Sequence, residues 1–268
     1  MAISSPARRR EYGRWAIVIV PGVLALVIVM LRYGPIPQDP SYHDFADRRV
    51  WFGIPHAGDV LSNLLLLAVG LLGLARIARA TWVERAFEYA DERWIYGVFF
   101  AGIAFTGVGS MIYHWQPDNA SLVWDRLPII VTLMALLCAV VAERIGPRIG
   151  LALLAPLVAV GVTSVAWWAW SEQQGYGDLR LYALLVIDAP LALALLLVLW
   201  KSRYTHGGAY WWVLGWYGAA KACEALDAPI FHLSGGVVSG HNLKHLAAAV
   251  SAGWVLGMLS RRALAAPV

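Results

Sequence analysis

Residues 94–114 read WIYGVFFAGIAFTGVGSMIYH, an apolar run of 21 residues that carries Ser110 and His114 near its end. A helix of this length can cross the hydrocarbon core of a bilayer. Ionisable groups inside such a segment are costly to bury there, and they usually have a function. The stretch therefore predicts a transmembrane helix and a functional site at one end of it.

Seven other apolar runs of similar length accompany this one. The eight predicted spans are 15–32, 59–80, 94–114, 121–142, 148–169, 179–200, 209–232 and 239–260. The chain is 60% hydrophobic and only 14% charged, and its mean hydropathy of +0.62 places it outside the soluble globular class. The connections are too short for a soluble domain. We predict an all-α integral membrane protein.

The first span differs from the other seven in its surroundings. It follows Arg8, Arg9 and Arg10, as a signal peptide would, but its apolar run is too long and no small-residue cleavage site follows it. We therefore predict a retained helix, with residues 1–40 forming a cytoplasmic tail and an additional transmembrane helix. Residues 41–262 then form a seven-helix domain.

The basic residues indicate how the chain is oriented. With the N-terminus in the cytoplasm, fourteen Lys and Arg residues fall on the inner side, four on the outer side and three within spans. Positive loops remain in the cytoplasm, so both termini are expected there. The net charge of +4 thus reflects topology, and no nucleic-acid partner is expected. Cys138 and Cys223 both lie within spans, which argues against a disulfide framework.

Three histidines and an aspartate lie at matching depth in this topology. His241 and His245 are four residues apart, so on a helix they share one face. With His114 they offer three nitrogens, the set that catalytic zinc prefers when its fourth position is open to water. Asp125 is placed to take a proton from that water. Ser110, one turn before His114, could donate a hydrogen bond to an oxyanion.

Structural explanations compete with this interpretation. A lone histidine in a membrane more often bonds a neighbouring helix, and serine is common where membrane helices pack closely. The span 209–232 also carries Lys221, Glu224 and Asp227 at three-residue steps, and Asp188 lies at a similar depth in the span before it. We expect interior ion pairing here, with Asp188 bound to Lys221, because charges in membranes usually pair. A proton path would use the same residues.

The motifs around the site resemble a known family. The sequences GVGSMIYH at 107–114 and DRLP at 125–128, with Ser62-Asn63 and the late histidine pair, are similar to those of the alkaline ceramidases. That family belongs to the CREST superfamily of seven-helix membrane hydrolases, which also includes adiponectin-receptor-like proteins. The resemblance covers residues 42–260 and implies a bacterial-type member in the inner membrane, with its site towards the periplasm.

By this resemblance, His114, His241 and His245 would hold zinc, Asp125 would activate the bound water and Ser110 would assist. The chain departs from the family in three places: Arg126 replaces a glutamate, Lys244 an aromatic residue and His56 a calcium-binding glutamate. The stretch that corresponds to the family's calcium-binding residues carries three aspartates: Asp44, Asp47 and Asp59. The resemblance thus implies zinc, and it leaves calcium and ceramide itself open.

The resulting functional hypothesis is a zinc-dependent hydrolase that cleaves the amide bond of a ceramide-like N-acyl lipid, its membrane partner. Asp125 would be the general base. The main alternative is a non-catalytic seven-helix receptor or regulator of the adiponectin-receptor type, in which the same metal has a structural role. A proton-coupled transporter is a third possibility, and it would use Asp188, Lys221 and Glu224. Oligomeric state and headgroup are left open.

Overall fold

The computed structural model describes residues 6–265, and within that range the chain is helical and contains no β-strand. Residues 1–5 of the predicted N-terminal tail lie outside the described residues. The α-helices are α1 (Pro6–Arg32), α2 (Ala57–Ser62), α3 (Leu64–Ile77), α4 (Ala80–Ala86), α5 (Arg93–Trp115), α6 (Asn119–Arg144), α7 (Pro147–Gln173), α8 (Arg180–Leu199), α9 (Ala209–Ala225), α10 (Asp227–Leu233) and α11 (Gly240–Arg261).

Seven helical segments of the described chain are long and apolar enough to cross a membrane. They are α1, the α2–α3 segment, α5, α6, α7, α8 and α11. Each corresponds to a predicted span, and the observed helices extend a few residues beyond most of the predicted ends. The membrane character expected from the sequence is therefore confirmed at this level.

The remaining predicted span, 209–232, is not one continuous helix. The chain leaves helical geometry at Leu226, which separates the 17-residue α9 from the short α10. Pro229 has no N–H to donate to the carbonyl of Ala225, so the helical hydrogen-bond ladder is interrupted at this point. Asp227 begins α10, and its carboxylate accepts hydrogen bonds from the N–H groups of Ala46 and His241. The prediction of a single helix here was wrong.

Six helices pack in a closed ring around a cavity, and α7 packs on the outside of this ring. Around the ring α9 contacts α11, α11 contacts α3, α3 contacts α5, α5 contacts α6, and α6 contacts both α7 and α8. Contacts between α8 and α9 complete the ring. The additional helix α1 packs outside this ring against α8, and the window of α1 that could span a membrane is unburied. The first helix is thus peripheral to the other seven.

Close approach of α5 and α6 depends on Gly109. A Cβ atom at this position would collide with the backbone carbonyl of Trp124, so no other residue fits without moving a helix. The contact places Asp125, the next residue of α6, beside the turn of α5 that carries Ser110. Small residues allow membrane helices to approach in this way.

The opposite end of the bundle is held by a buried polar cluster. Arg262 lies 3.3 Å from a carboxylate oxygen of Glu143 and donates to the Tyr96 hydroxyl at 3.1 Å and to the Ala86 carbonyl at 2.7 Å. The Tyr96 and Tyr210 hydroxyls are 2.9 Å apart. These contacts tie the end of α11 to α4, α5 and α6, and they leave the two ends of the bundle chemically distinct.

Candidate metal centre

The three histidines come from two helix ends that meet. His114 lies in the last turn of α5, and His241 and His245 lie in the first two turns of α11. The start of α11 is fixed by reciprocal hydrogen bonds between Ser239 and Asn242: the Asn242 N–H donates to the serine Oγ, and the Ser239 N–H donates to the asparagine Oδ1. This cap sets which turn of α11 carries each histidine.

The imidazole rings of His114, His241 and His245 converge on one point. The ring centroids are 4.7 to 5.1 Å apart, and one nitrogen from each ring lies within 4.8 Å of the others. Nε2 of His114 is 3.1 Å from Nε2 of His241. Two nitrogens bound to one tetrahedral zinc are about 3.3 Å apart, given Zn–N bonds of about 2.0–2.1 Å. The three nitrogens could therefore hold a metal ion, and the distance between His114 and His241 suits zinc.

Neighbouring polar groups orient His245. Its Nδ1 atom lies 2.8 Å from the Ser62 hydroxyl and 3.2 Å from the side-chain nitrogen of Asn63. With Nδ1 engaged in this way, Nε2 is the nitrogen left to face the other histidines. Partners of this kind fix ring orientation in metal sites. Ser62 and Asn63 occupy the junction of α2 and α3, where the helix is briefly interrupted.

Asp125 and Ser110 lie beside this cluster, as the sequence predicts. Ser110 Oγ is 3.5 Å from Nε2 of His245, and the Asp125 side chain is almost fully buried. Both residues line the same cavity as His245, at the end of its apolar interior. The structure therefore brings all five predicted site residues into one region. It leaves the catalytic roles of Asp125 and Ser110 as predictions.

An aromatic residue from the first long loop covers the cluster. The ring of Phe45 contacts the rings of His114 and His241 edge to face, with centroids 4.5 and 4.6 Å apart. His43 fixes this part of the loop by bonding to the Tyr113 hydroxyl at 2.9 Å. Phe45 thus separates the histidines from the outside of the bundle. Its role was not predicted, because the path of a loop does not follow from hydropathy.

A charged triad lies next to the histidines. Glu224 binds two lysines, with one carboxylate oxygen 2.6 Å from Nζ of Lys221 and the other 2.7 Å from Nζ of Lys244. Lys244 Nζ is also 3.2 Å from Nε2 of His241. The expected pairing of Asp188 with Lys221 was wrong: Lys221 binds Glu224, and the Asp188 carboxylate lies against Gly22 of α1.

Three aspartates surround the outer side of the site. Asp59 Oδ1 accepts a 2.6 Å hydrogen bond from Asn242, and Asp227 Oδ1 accepts one of 2.7 Å from the His241 N–H. Asp47 binds Arg49; burial opposes ionisation of Asp47, but the hydrogen bonds from Arg49 prevail and lower the pKa of its carboxyl. These aspartates support α11 and the loops. Asp44, the remaining aspartate of the predicted calcium stretch, is exposed and binds Arg48, and calcium binding stays a prediction.

Two comparisons with known proteins were negative. No protein-family model matches the chain, and a search of curated proteins found no match either. The resemblance to the alkaline ceramidases therefore rests on the sequence motifs alone.

Proposed function

We propose that this protein is a metal-dependent hydrolase that cleaves the amide bond of an N-acyl lipid within the membrane. The observation that carries this proposal is the convergence of three buried histidines beside Asp125 and Ser110 at the end of an apolar cavity. His114, His241 and His245 would give zinc three protein ligands and leave its fourth coordination position open, as in catalytic zinc sites.

The metal and the protein would divide the chemistry between them. Bound zinc would supply Lewis acidity that polarises the amide carbonyl and makes water nucleophilic near neutral pH. Asp125 would remove a proton from the attacking water as its oxygen bonds to the carbonyl carbon. The C–N bond then breaks, and Asp125 returns the proton to the leaving amine. The Ser110 hydroxyl would donate a hydrogen bond to the carbonyl oxygen as it gains charge.

The cavity supplies the binding site for the acyl chain. It measures about 160 Å³ and extends between α3, α5, α6, α8, α9 and α11. Apolar side chains such as Phe99, Ile103 and Leu193 line it away from the histidines. A fatty acyl chain in this space would place its amide group at the polar end, where Asp125 and Ser110 lie.

A receptor with a structural metal is the alternative, and the ligand set argues against it. Structural zinc sites usually have four protein ligands. Among the described residues the cluster holds three histidines and no fourth histidine, cysteine or carboxylate. An open position next to an apolar cavity suits catalysis better than a closed structural role. The same features support assignment to the alkaline ceramidases and to the seven-helix arrangement of the CREST superfamily.

Lipid hydrolysis by the purified protein tests this function. We expect release of fatty acid from at least one lipid in a panel of N-acyl amides, with matched ester-linked lipids run in parallel. Asp125→Asn should retain zinc and lose at least about a hundredfold in rate, because general-base catalysis contributes on the order of 10²–10⁴. An Asp125→Asn variant as fast as the wild type would show that the base is assigned wrongly. Absence of hydrolysis from zinc-loaded wild-type protein across the whole panel would refute the function.

A further inference from the structure

The lysine–glutamate triad next to the histidines is not needed for the hydrolysis described above. Lys221, Glu224 and Lys244 all line the cavity at its polar end, together with Asp125. Two ammonium groups share one carboxylate, so the triad itself carries one positive charge in excess. Charged groups inside a membrane are costly and usually have a function.

Lys244 has the more informative position of the two lysines. Its side chain is only 15% exposed, and its ammonium group is held by Glu224 on one side and contacts Nε2 of His241 on the other. An ammonium group has three N–H donors. Glu224 and Nε2 of His241 take up two of these donors, so the third is available to a ligand in the cavity.

We propose that Lys244, supported by Lys221, binds a carboxylate next to the scissile amide, so that the substrate is an N-acyl amino acid. This inference rests on the proposed function and specifies its substrate class. The carboxylate of such a lipid is separated from the amide nitrogen by one carbon atom. An amide placed beside the histidines therefore holds its carboxylate within a few ångströms of Lys244 Nζ.

The surrounding charges favour an anion over a neutral headgroup. Among the residues that line the cavity, Lys221 and Lys244 balance Asp125 and Glu224, so a divalent metal would make this lining positive by two. The aspartates that support α11 do not line the cavity. Arg126 adds a further cation behind the wall of the cavity. Its guanidinium group stacks on Tyr42 and Tyr182, which both line the cavity, and its Nη1 atom has no hydrogen-bond partner.

Hydrolysis yields a fatty acid and a free amino acid. Water adds its oxygen to the acyl carbon, the C–N bond breaks, and the amino nitrogen gains the proton. No oxidant, reductant or second substrate is required. The triad takes no part in bond breaking and acts only in binding the carboxylate.

Binding to metal-depleted wild-type protein tests the proposal without hydrolysis. It also removes the direct attraction between a carboxylate and the metal. The probes are N-palmitoylglycine and N-palmitoylethanolamine, which carry a carboxylate and a neutral hydroxyl group respectively. We expect N-palmitoylglycine to bind at least about tenfold more tightly. Equal binding of the two probes would overturn the proposal.

Variants then assign the preference to Lys244. Lys244→Met should bring the two affinities within about twofold of each other, and Lys244→Arg should retain most of the difference. Glu224 keeps Lys221 as a partner in Lys244→Met, so no buried carboxylate is left unpaired. Lys201→Met is the matched control, because it removes an exposed charge at the end of the helix bundle opposite the histidines. An unchanged preference in folded Lys244→Met would exclude this residue. Should that variant not fold, the wild-type comparison still decides the substrate class.

Two further probes separate a carboxylate from a phosphate. Ceramide and ceramide 1-phosphate differ by an anion that lies farther from the amide. Preference for the phosphate lipid over N-palmitoylglycine would overturn the assignment to amino acids. The outcomes also separate the two proposals. Anion-selective binding without hydrolysis of any lipid would refute the hydrolase and retain this site. Hydrolysis of neutral and anionic amides at equal rates would support the hydrolase and refute the carboxylate-binding site.

Discussion

Two helix ends supply all three histidines, and a different local feature positions the histidines of each end. His114 arrives at the end of α5, whereas His241 and His245 are placed by the cap that begins α11. Their burial excludes water from the imidazole nitrogens, so these nitrogens must find partners within the protein or a metal. One nitrogen from each ring lies close enough to the others for the three to share a metal ion.

Metal content is the first prediction at this scale. Protein purified without chelators should contain about one zinc per chain, and alanine at any one of His114, His241 or His245 should abolish it, because two histidines alone rarely hold zinc tightly. Elemental analysis by mass spectrometry measures this directly. His232→Ala, which removes an exposed histidine of α10, is the matched control and should retain the metal. Folded wild-type protein without metal would contradict the assignment.

Ser62 provides a second test, aimed at orientation of the ligand. Its hydroxyl contacts Nδ1 of His245, so Ser62→Ala should free that ring to rotate. Loss of such a partner typically costs about 10–100-fold in metal affinity. Competition with a chelator of known affinity measures the change. Ser260→Ala, which removes an exposed hydroxyl from the far end of α11, should have no effect. An unaltered affinity in Ser62→Ala would mean that the contact does not position His245.

At the level of single residues, the sequence predicts the parts of the site that depend on helical spacing. Ser110 and His114, like His241 and His245, are four apart, and that spacing alone places each pair on one face. Phe45 could not be predicted, because it reaches the site through a loop. The contact of Lys244 with Glu224 could not be predicted either. It depends on how α9 and α11 pack, and spacing along one helix carries no information about its neighbour.

The length of each membrane helix follows from the length of its apolar run. The position of a helix break depends instead on single residues such as proline, which hydropathy does not reveal. The run 209–232 is apolar enough throughout, yet the chain leaves helical geometry at Leu226. Pro229 lacks one donor, and Asp227 binds the backbone of His241 and Ala46. The break has a consequence for the site, since the Asp227 carboxylate satisfies an N–H in the first turn of α11 that the helix itself leaves free.

The contact between α5 and α6 gives a prediction at the level of elements. Gly109→Ala should push Trp124 away and carry Asp125 with it, because the added Cβ meets backbone rather than a movable side chain. We expect a loss of about 1–3 kcal/mol in stability, as for other overpacked sites, and lower activity with it. Thermal unfolding in detergent measures the first effect.

Gly97→Ala is the matched control on the same helix. A Cβ at Gly97 would meet only the end of the Ile77 side chain at 3.4 Å, an ordinary contact that the flexible chain can adjust to. This variant should unfold at or slightly above the wild-type temperature, since alanine favours helix more than glycine does. Equal unfolding temperatures for the two variants would show that the α5–α6 approach tolerates an extra methyl group.

For the whole molecule, the arrangement of charge matters more than any one contact. The histidines, the aspartates and the triad gather at one end of the ring, and Arg262 with Glu143 lies at the other. Most Lys and Arg residues outside the spans lie at the second end, which the positive-inside tendency assigns to the cytoplasm. We propose that the site faces the outside of the cell, so that an N-acyl lipid would reach it from the outer leaflet.

Orientation can be tested by labelling single cysteines with a maleimide that does not cross membranes. The background carries Cys138→Ala and Cys223→Ala, which remove both native thiols. Val50→Cys lies in an exposed loop at the histidine end, and Lys201→Cys in an exposed loop at the other. In intact bacterial cells whose outer membrane is permeabilised, we expect nearly complete labelling of the first and almost none of the second. Lysis should make both reactive, which confirms that each thiol is accessible. The reverse pattern would place the site in the cytoplasm, and its lipid would then have to come from the inner leaflet.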